Sequence, residues 1–231
     1  GPCTELFIDR GAQYGCGKAN CTVGCDCDRY MEFWNLVFMQ YEALPDGTRI
    51  DLPKASVDTG MGLERLTSIL QNKRSNYDTD VFMPIFGAIE RLTGARAYMG
   101  KLGGDDRGNV DTAYRVIADH IRTLTIAVTD GAMPSNVGRG YVLRRILRRA
   151  ARYGRQMLGA KTGFFSRLVP VVAESMGDAF PELRKNPQRV IDILKDEEES
   201  FGRTLDRGIK LFTEVAGAAT NKTIAGSDAF K

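Results

Sequence analysis

The chain has 231 residues, of which 43% are hydrophobic and 26% charged, a globular composition able to bury a core in one large domain or two small ones. Its 32 basic and 29 acidic side chains leave a formal net charge of only +3. No run of about 18 apolar residues and no signal-peptide pattern is present, which argues against a membrane span and against secretion. The opening GPCTEL has no initiator Met and reads as the middle of a domain, and GSDAFK carries no closing signal. The chain is expected to be a piece of a longer protein.

Residues 1–60 read as strands and turns. Glu5 to Asp9 is a short strand candidate. Glu32 to Tyr41, EFWNLVFMQY, is rich in aromatic and β-branched residues and is expected to be a buried strand. Between them CGKANCTVGCDC places Cys16, Cys21, Cys25 and Cys27 at spacings of four, three and one residues. With no sign of secretion, disulfides are the weaker reading. Two readings remain: a tetrahedral zinc site, or a loop of reduced thiols without metal. ALPDGTRIDLP is punctuated as a hairpin turn by Pro45, Asp46 and Gly47. DTGMGLER, Asp58 to Arg65, is a strand-to-helix junction, after which Leu63, Leu66, Ile69 and Leu70 fall at helical spacing.

The rest is expected to be helical. Asp78 or Thr79 is read as the cap of a helix from about Asp80 to Leu92, stopped by Gly94. Residues 98–109 form a loop rich in Gly and Asp. Asp111 or Thr112 is read as the next cap, before an apolar face of Ala113, Val116, Ile117, Ile121, Leu124 and Val128. After the turn around Pro134 comes an arginine-rich helix, then helices over Phe164–Met176 and Arg189–Val215. The predicted class is α+β, with a joint near Ser75 or after Gly94. The expected domains are 1–75 and 76–231.

RGYVLRRILRRAARYGR, Arg139 to Arg155, has seven arginines and no acid. Leu143, Ile146, Leu147, Ala150, Gly154 and Leu158 share one face. Arg144, Arg145, Arg148, Arg149, Arg152 and Arg155 fill the remaining arc. Arginines four apart on a helix repel by about 0.2–0.5 kcal/mol per pair. Such crowding calls for an anionic partner or for acids from elsewhere in the fold. The planar guanidinium suits phosphate oxygens and cannot be titrated away, so a nucleic acid is the leading expectation.

Other candidates are weaker by themselves. Gly60 and Gly62 permit close approach to the backbone, Asp58 offers a carboxylate, and Arg65 is within reach of a phosphate. The bland reading is a tight turn capped by Asp58. Asn35 and Val37 share a strand face, and a strand amide needs a partner. His120, the only histidine, falls on an apolar helix face and is expected to be a satisfied core residue. No Walker, HExxH or Ser/His/Asp pattern is present.

Taken together, GPCTELFIDRG, EFWNLVFMQY, LPKASVDTGMGLERL, SNYDTDVF, YRVIADHIRTLTIAVTDGAMPSN, RGYVLRRILRRAARYG and KDEEESFGRTLDRG resemble the alanyl-tRNA synthetase family, in order and over nearly the whole chain. The resemblance implies that DTGMGLER is motif 3 of a class II catalytic sheet. Residues 1–75 would close that aminoacylation domain, and 76–231 would form the helical tRNA-recognition domain. Asp58 would hold the alanine ammonium, with Asn35 and Val37 around its side chain. Gly60, Gly62 and Arg65 would meet ATP, with Mg2+ assisting. Asn136 would read the G:U pair of the tRNA(Ala) acceptor stem, while Arg144, Arg145, Arg148, Arg149 and Arg152 would grip its backbone. The family's motifs 1 and 2 are not among these residues, so the 231-residue chain alone is expected to be inactive, and no general base is identified. The parent is expected to be a cytoplasmic alanine–tRNA ligase. The rival reading is a stand-alone or degenerate RNA-binding module. The family's usual zinc lies in its editing domain and says nothing about the four cysteines here.

Overall fold

The computed structural model describes residues 1–219 and 223–229. Two compact units emerge, Gly1–Thr79 and Asp80–Lys231, and together they make an α+β protein.

In the first unit, strands β1 (Cys3–Asp9), β2 (Tyr30–Ala43) and β3 (Arg49–Met61) pair antiparallel in chain order. The β2–β3 turn closes with Leu44 N–H donating to Thr48 O at 2.9 Å and Gly47 N–H to Leu44 O at 2.9 Å. Gly47 has φ of 85°, a left-handed conformation that costs glycine nothing. Asp46 accepts from both the Thr48 amide and its hydroxyl, as an Asx turn requires. The ladder then slips between Met39↔Ser56 and Tyr41↔Asp51. Pro53, which has no N–H to give a partner strand, lies in that irregular stretch. The short helix α1 (Leu63–Leu70) follows.

The expectation that Glu32–Tyr41 is a buried strand is corrected. β2 is half-buried as far as Val37 and exposed from Phe38 onward. A sheet has two faces, and within this unit α1 is the only α-helix, too short to cover both.

The second unit holds α2 (Met83–Thr93), α3 (Val110–Thr129), α4 (Gly138–Leu158), α5 (Val169–Met176), α6 (Glu182–Lys185), α7 (Pro187–Ala218) and the short α8 (Gly226–Ala229). Its core joins Ile85, Ile89, Ile117, Ile121, Leu124, Leu147, Phe165, Leu168 and Leu194, all fully buried. The apolar face read from the sequence of α3 is this core face, apart from Val116, which is half-buried.

Both expected caps move. α2 begins at Met83 with Pro84 in its first turn. Ser75 instead caps a short 3-10 turn over Asn76–Asp78 by accepting from Tyr77 N–H. α3 is capped by Asp106, whose carboxylate accepts from the Asp111 amide at 2.9 Å and from the Thr112 amide and hydroxyl at 2.7 Å each. Asp111, expected as the cap, is fully buried and turned towards the preceding loop. It accepts from Arg96 at 2.6 Å and from the Met99 and Lys101 amides. Two carboxylates thus order the Gly/Asp-rich stretch that composition alone marks as a loop. The stop at Gly94 holds: it takes φ of 70° and donates to Glu90 O.

Candidate functional site

In the first unit, the cross-strand register does what spacing along the chain cannot. Asn35 pairs with Gly60 and Val37 with Asp58. Directly opposed residues, and residues two apart, lie on one face of a sheet. Asn35, Val37, Asp58 and Gly60 therefore share one face. β1 adds Glu5 to the row, opposite Asn35, and the Asn35 Nδ2 donates to Glu5 Oε1 at 3.2 Å. The other half of that amide is unusual. Asn35 Oδ1 is shielded from solvent and has no hydrogen-bond partner among the described residues, so an acceptor stands ready for a donor such as an ammonium group.

Asp58 is exposed on its strand rather than at a helix cap. The N-cap of α1 is Gly62, which supplies no side chain. At Gly60 the backbone φ is not in the left-handed region, and a Cβ there would meet nothing within 4 Å. Neither backbone strain nor packing demands glycine at that point. The bare patch leaves room for a flat or phosphorylated ligand to touch the main chain. Arg65, in the first turn of α1, donates from Nη1 to Glu32 O at 2.7 Å and lies 3.6 Å from Glu32 Oε2. Its side chain is 47% exposed, so the guanidinium is positioned beside β2 with donors left over. Glu5 and Glu32 are the residues that reading the sequence missed. The rule that a strand amide needs a partner was a signal for Glu5 alone, and strand pairing and the docking of α1 had to supply the rest.

In the second unit, the arginine arc of α4 is divided. Arg144 and Arg148 both bind Glu197 of α7, at 2.9 and 3.0 Å. One carboxylate between two guanidiniums four residues apart turns their mutual repulsion into a bridge. Arg155 pairs with Asp206 at 2.6 Å. Arg145, Arg149 and Arg152 are exposed and have no ion pair among the described residues. Arg145 lies over the Tyr141 ring and Arg149 over the Tyr153 ring, contacts that hold a guanidinium flat without neutralising it. Asn136, in the turn before α4, is exposed, and its Oδ1 accepts from Arg144. Its amide N–H groups remain to donate.

Arg145, Arg148, Arg149 and Arg152 line an open cleft of about 640 Å³ together with Tyr153, Phe201 and His120. The expectation of a satisfied core histidine is therefore corrected. His120 Nδ1 lies 2.9 Å from Asp119 Oδ2, but Nε2 is shielded and without a partner among the described residues. The hydrogen bond from His120, with the charges of His120, Arg122 and Arg149 beyond it, holds the Asp119 carboxyl below its usual range in spite of burial.

The four clustered cysteines are brought together, with all their Sγ atoms within 4.8 Å of one another. Cys3 is exposed on β1, outside that group.

Among known proteins, the family described as tRNA synthetases class II (A) matches residues 1–231. The chain is 53% identical, over 100% of its length, to the alanine–tRNA ligase of Schizosaccharomyces pombe. It is 52% identical over 99% of its length to the cytoplasmic alanine–tRNA ligase of Drosophila melanogaster, and 49% identical over 100% to the mitochondrial enzyme of Saccharomyces cerevisiae. It spans only 24%, 23% and 24% of those relatives' own lengths.

Proposed function

Because this chain belongs to the tRNA synthetases class II (A), we propose that it is the part of an alanine–tRNA ligase that joins the end of the aminoacylation sheet to the helical region reading the tRNA. The observation that carries this reading is the β2–β3 register, which sets Asn35, Val37, Asp58 and Gly60 on one face. On that face Asp58 receives the ammonium of alanine and Asn35 Oδ1 offers a second acceptor. Val37 limits the space around the methyl side chain. Gly60 and Gly62 lie against ATP, and Arg65 binds its phosphates. The chemistry is mainly positioning and charge stabilisation of in-line attack on the α-phosphate, with Mg2+ neutralising phosphate charge. Residues 1–75 belong to this function, and 76–231 to tRNA recognition.

In the helical region, phosphate contacts set position and base-edge contacts set identity. Arg145, Arg149 and Arg152 supply the first. Arg144 and Arg148 contribute positive potential while anchored on Glu197. Asn136 supplies the second, through the amide donors left free when Arg144 takes its carbonyl, and its target is the G:U pair of the tRNA(Ala) acceptor stem. Support for a cytoplasmic site of action comes from relatives so named, although one relative is mitochondrial.

The test is binding of the 231-residue chain to acceptor-stem RNA hairpins carrying G:U or G:C. We expect preference for G:U, and we expect Asn136→Ala to erase that preference while lowering total affinity less. Equal loss on both stems removes Asn136 from the role of reader. The chain alone is expected to give no ATP–pyrophosphate exchange, since the family's motifs 1 and 2 are not among its residues.

A further inference from the structure

The connection between β1 and β2, residues 10–29, has one short 3-10 turn at Ala12–Tyr14 and otherwise only bends and turns. A connection of this length inside a compact unit is uncommon unless something ties it down. Hydrophobic burial does not, because Cys16 is exposed and Cys21, Cys25 and Cys27 are only half-buried. What the stretch does contain is four converging thiols. Cys16 and Cys25 Sγ lie 3.9 Å apart and Cys21 and Cys27 Sγ 3.7 Å apart. Four sulfurs about 2.3 Å from a central zinc, at the corners of a tetrahedron, are about 3.8 Å from one another. These two pairs match that edge, and all four sulfurs lie within 4.8 Å of one another. They are far from the covalent S–S distance of about 2.05 Å.

The surroundings fit a metal–thiolate centre as well. Arg29 ends the connection and donates to both carboxylate oxygens of Asp9, at 2.9 and 2.8 Å. The Arg29 side chain and the Cys21 thiol lie side by side against Gly15, each 3.5 Å from where a Cβ there would stand. A cation beside the sulfurs offsets the negative charge that four thiolates bring to a divalent ion.

We propose that Cys16, Cys21, Cys25 and Cys27 form a tetrahedral zinc–thiolate site that fastens the β1–β2 connection. Four S–Zn bonds form, the thiol protons pass to solvent, and no electron is transferred, so the centre carries a net charge of −2. Soft thiolates select zinc over the hard cations magnesium and calcium. A full set of four protein ligands marks the site as structural, with no open position for catalysis. The ion holds the ends of β1 and β2, and β2 is the strand that carries Asn35 and Val37. The assignment stands on the thiol geometry and is independent of the tRNA reading.

The experiment uses the 231-residue chain purified under reducing conditions without chelator. Elemental analysis should find about one zinc per chain, released in step as a mercurial blocks the thiols. Cobalt exchanged for zinc should give the intense visible bands of tetrahedral thiolate coordination. Cys21→Ser and Cys25→Ser should lose the metal, whereas Cys3→Ser should keep it. Arg29→Ala should weaken zinc about 10- to 100-fold in competition with a chromophoric chelator, as loss of an outer-shell partner does. If the serine variants do not fold, zinc release from the unmodified chain carries the test. A reduced chain holding no zinc, one holding iron in its place, or one found with the four cysteines as two disulfides would each overturn the assignment.

Discussion

Glu198 is 1% exposed and accepts the Phe165 amide with both oxygens, at 3.4 and 3.2 Å. Burial pushes its pKa from 4.5 up to about 7, against the backbone amides of Gly163, Phe165 and Ser166, and Glu199 adds to the rise. The folded state therefore holds this proton to higher pH than the unfolded chain does. The sign follows: the contribution of Glu198 to stability is fully present below about pH 4.5 and is lost as pH climbs through about 7, a change of up to about 3 kcal/mol. Glu198→Gln should flatten that slope and raise the melting temperature at pH 8 more than at pH 5. Melting curves that keep the same pH dependence would show that Glu198 is not its source. At the same scale, Asp106 holds three donors at the start of α3. Asp106→Ala should destabilise the chain by about 2 kcal/mol in denaturant titration, the upper range for a lost cap. The sequence pointed to Asp111 and Thr112 for this job. Propensity cannot distinguish neighbouring Asp residues; the loop's path decides which carboxylate faces the helix end.

At the scale of elements, α4 shows how one helix serves two ends. Its inner face is Leu147, Ala150, Ala151, Gly154 and Leu158, all buried. Gly154 looks like a weak point in a helix, yet a Cβ there would fall 2.1 Å from the Phe164 ring. The glycine admits that ring to the helix surface. Gly154→Ala should therefore cost about 1–3 kcal/mol from overpacking rather than gain from better helix propensity. Urea denaturation giving a more stable variant would refute the close contact. On the outer face, Glu197 divides the arginines into anchored and free sets. Arg144→Ala should lower the melting temperature by removing a half-buried ion pair. Arg149→Ala, which breaks no ion pair among the described residues, should leave it nearly unchanged.

For the whole molecule, a net charge of +3 hides a local concentration of cations. If the arc grips RNA as proposed, binding should fall steeply with salt, because each phosphate neutralised releases a counterion. Replacing Arg149 and Arg152 with Ala together should reduce the slope of log affinity against log salt by about one per residue, on G:U and G:C stems alike. A slope that does not change would mean the cleft faces solvent in the complex.

Much of the framework was legible beforehand. The β2–β3 turn, the α1 periodicity, the stop at Gly94 and the long amphipathic α4 and α7 all follow from neighbours a few positions apart. Side-chain periodicity and turn chemistry act over that distance and survive without the rest of the fold. What spacing alone left open was pairing between distant positions. Asn35 meets Gly60 only through strand register, and Arg148 meets Glu197 forty-nine residues away. His120 looked like core because its helix face is apolar, but α4 crosses there with arginines rather than leucines. The sequence by itself determined most of the strands and helices and that one helix would carry a dense positive arc, although the helix expected from Phe164 starts only at Val169, after a 3-10 turn at Ser166–Leu168. Only the tertiary structure decided which arginines stay free, which carboxylates cap, and that four thiols converge. Those outcomes depend on the path each loop takes and on where separate elements pack against one another, and side-chain periodicity encodes neither.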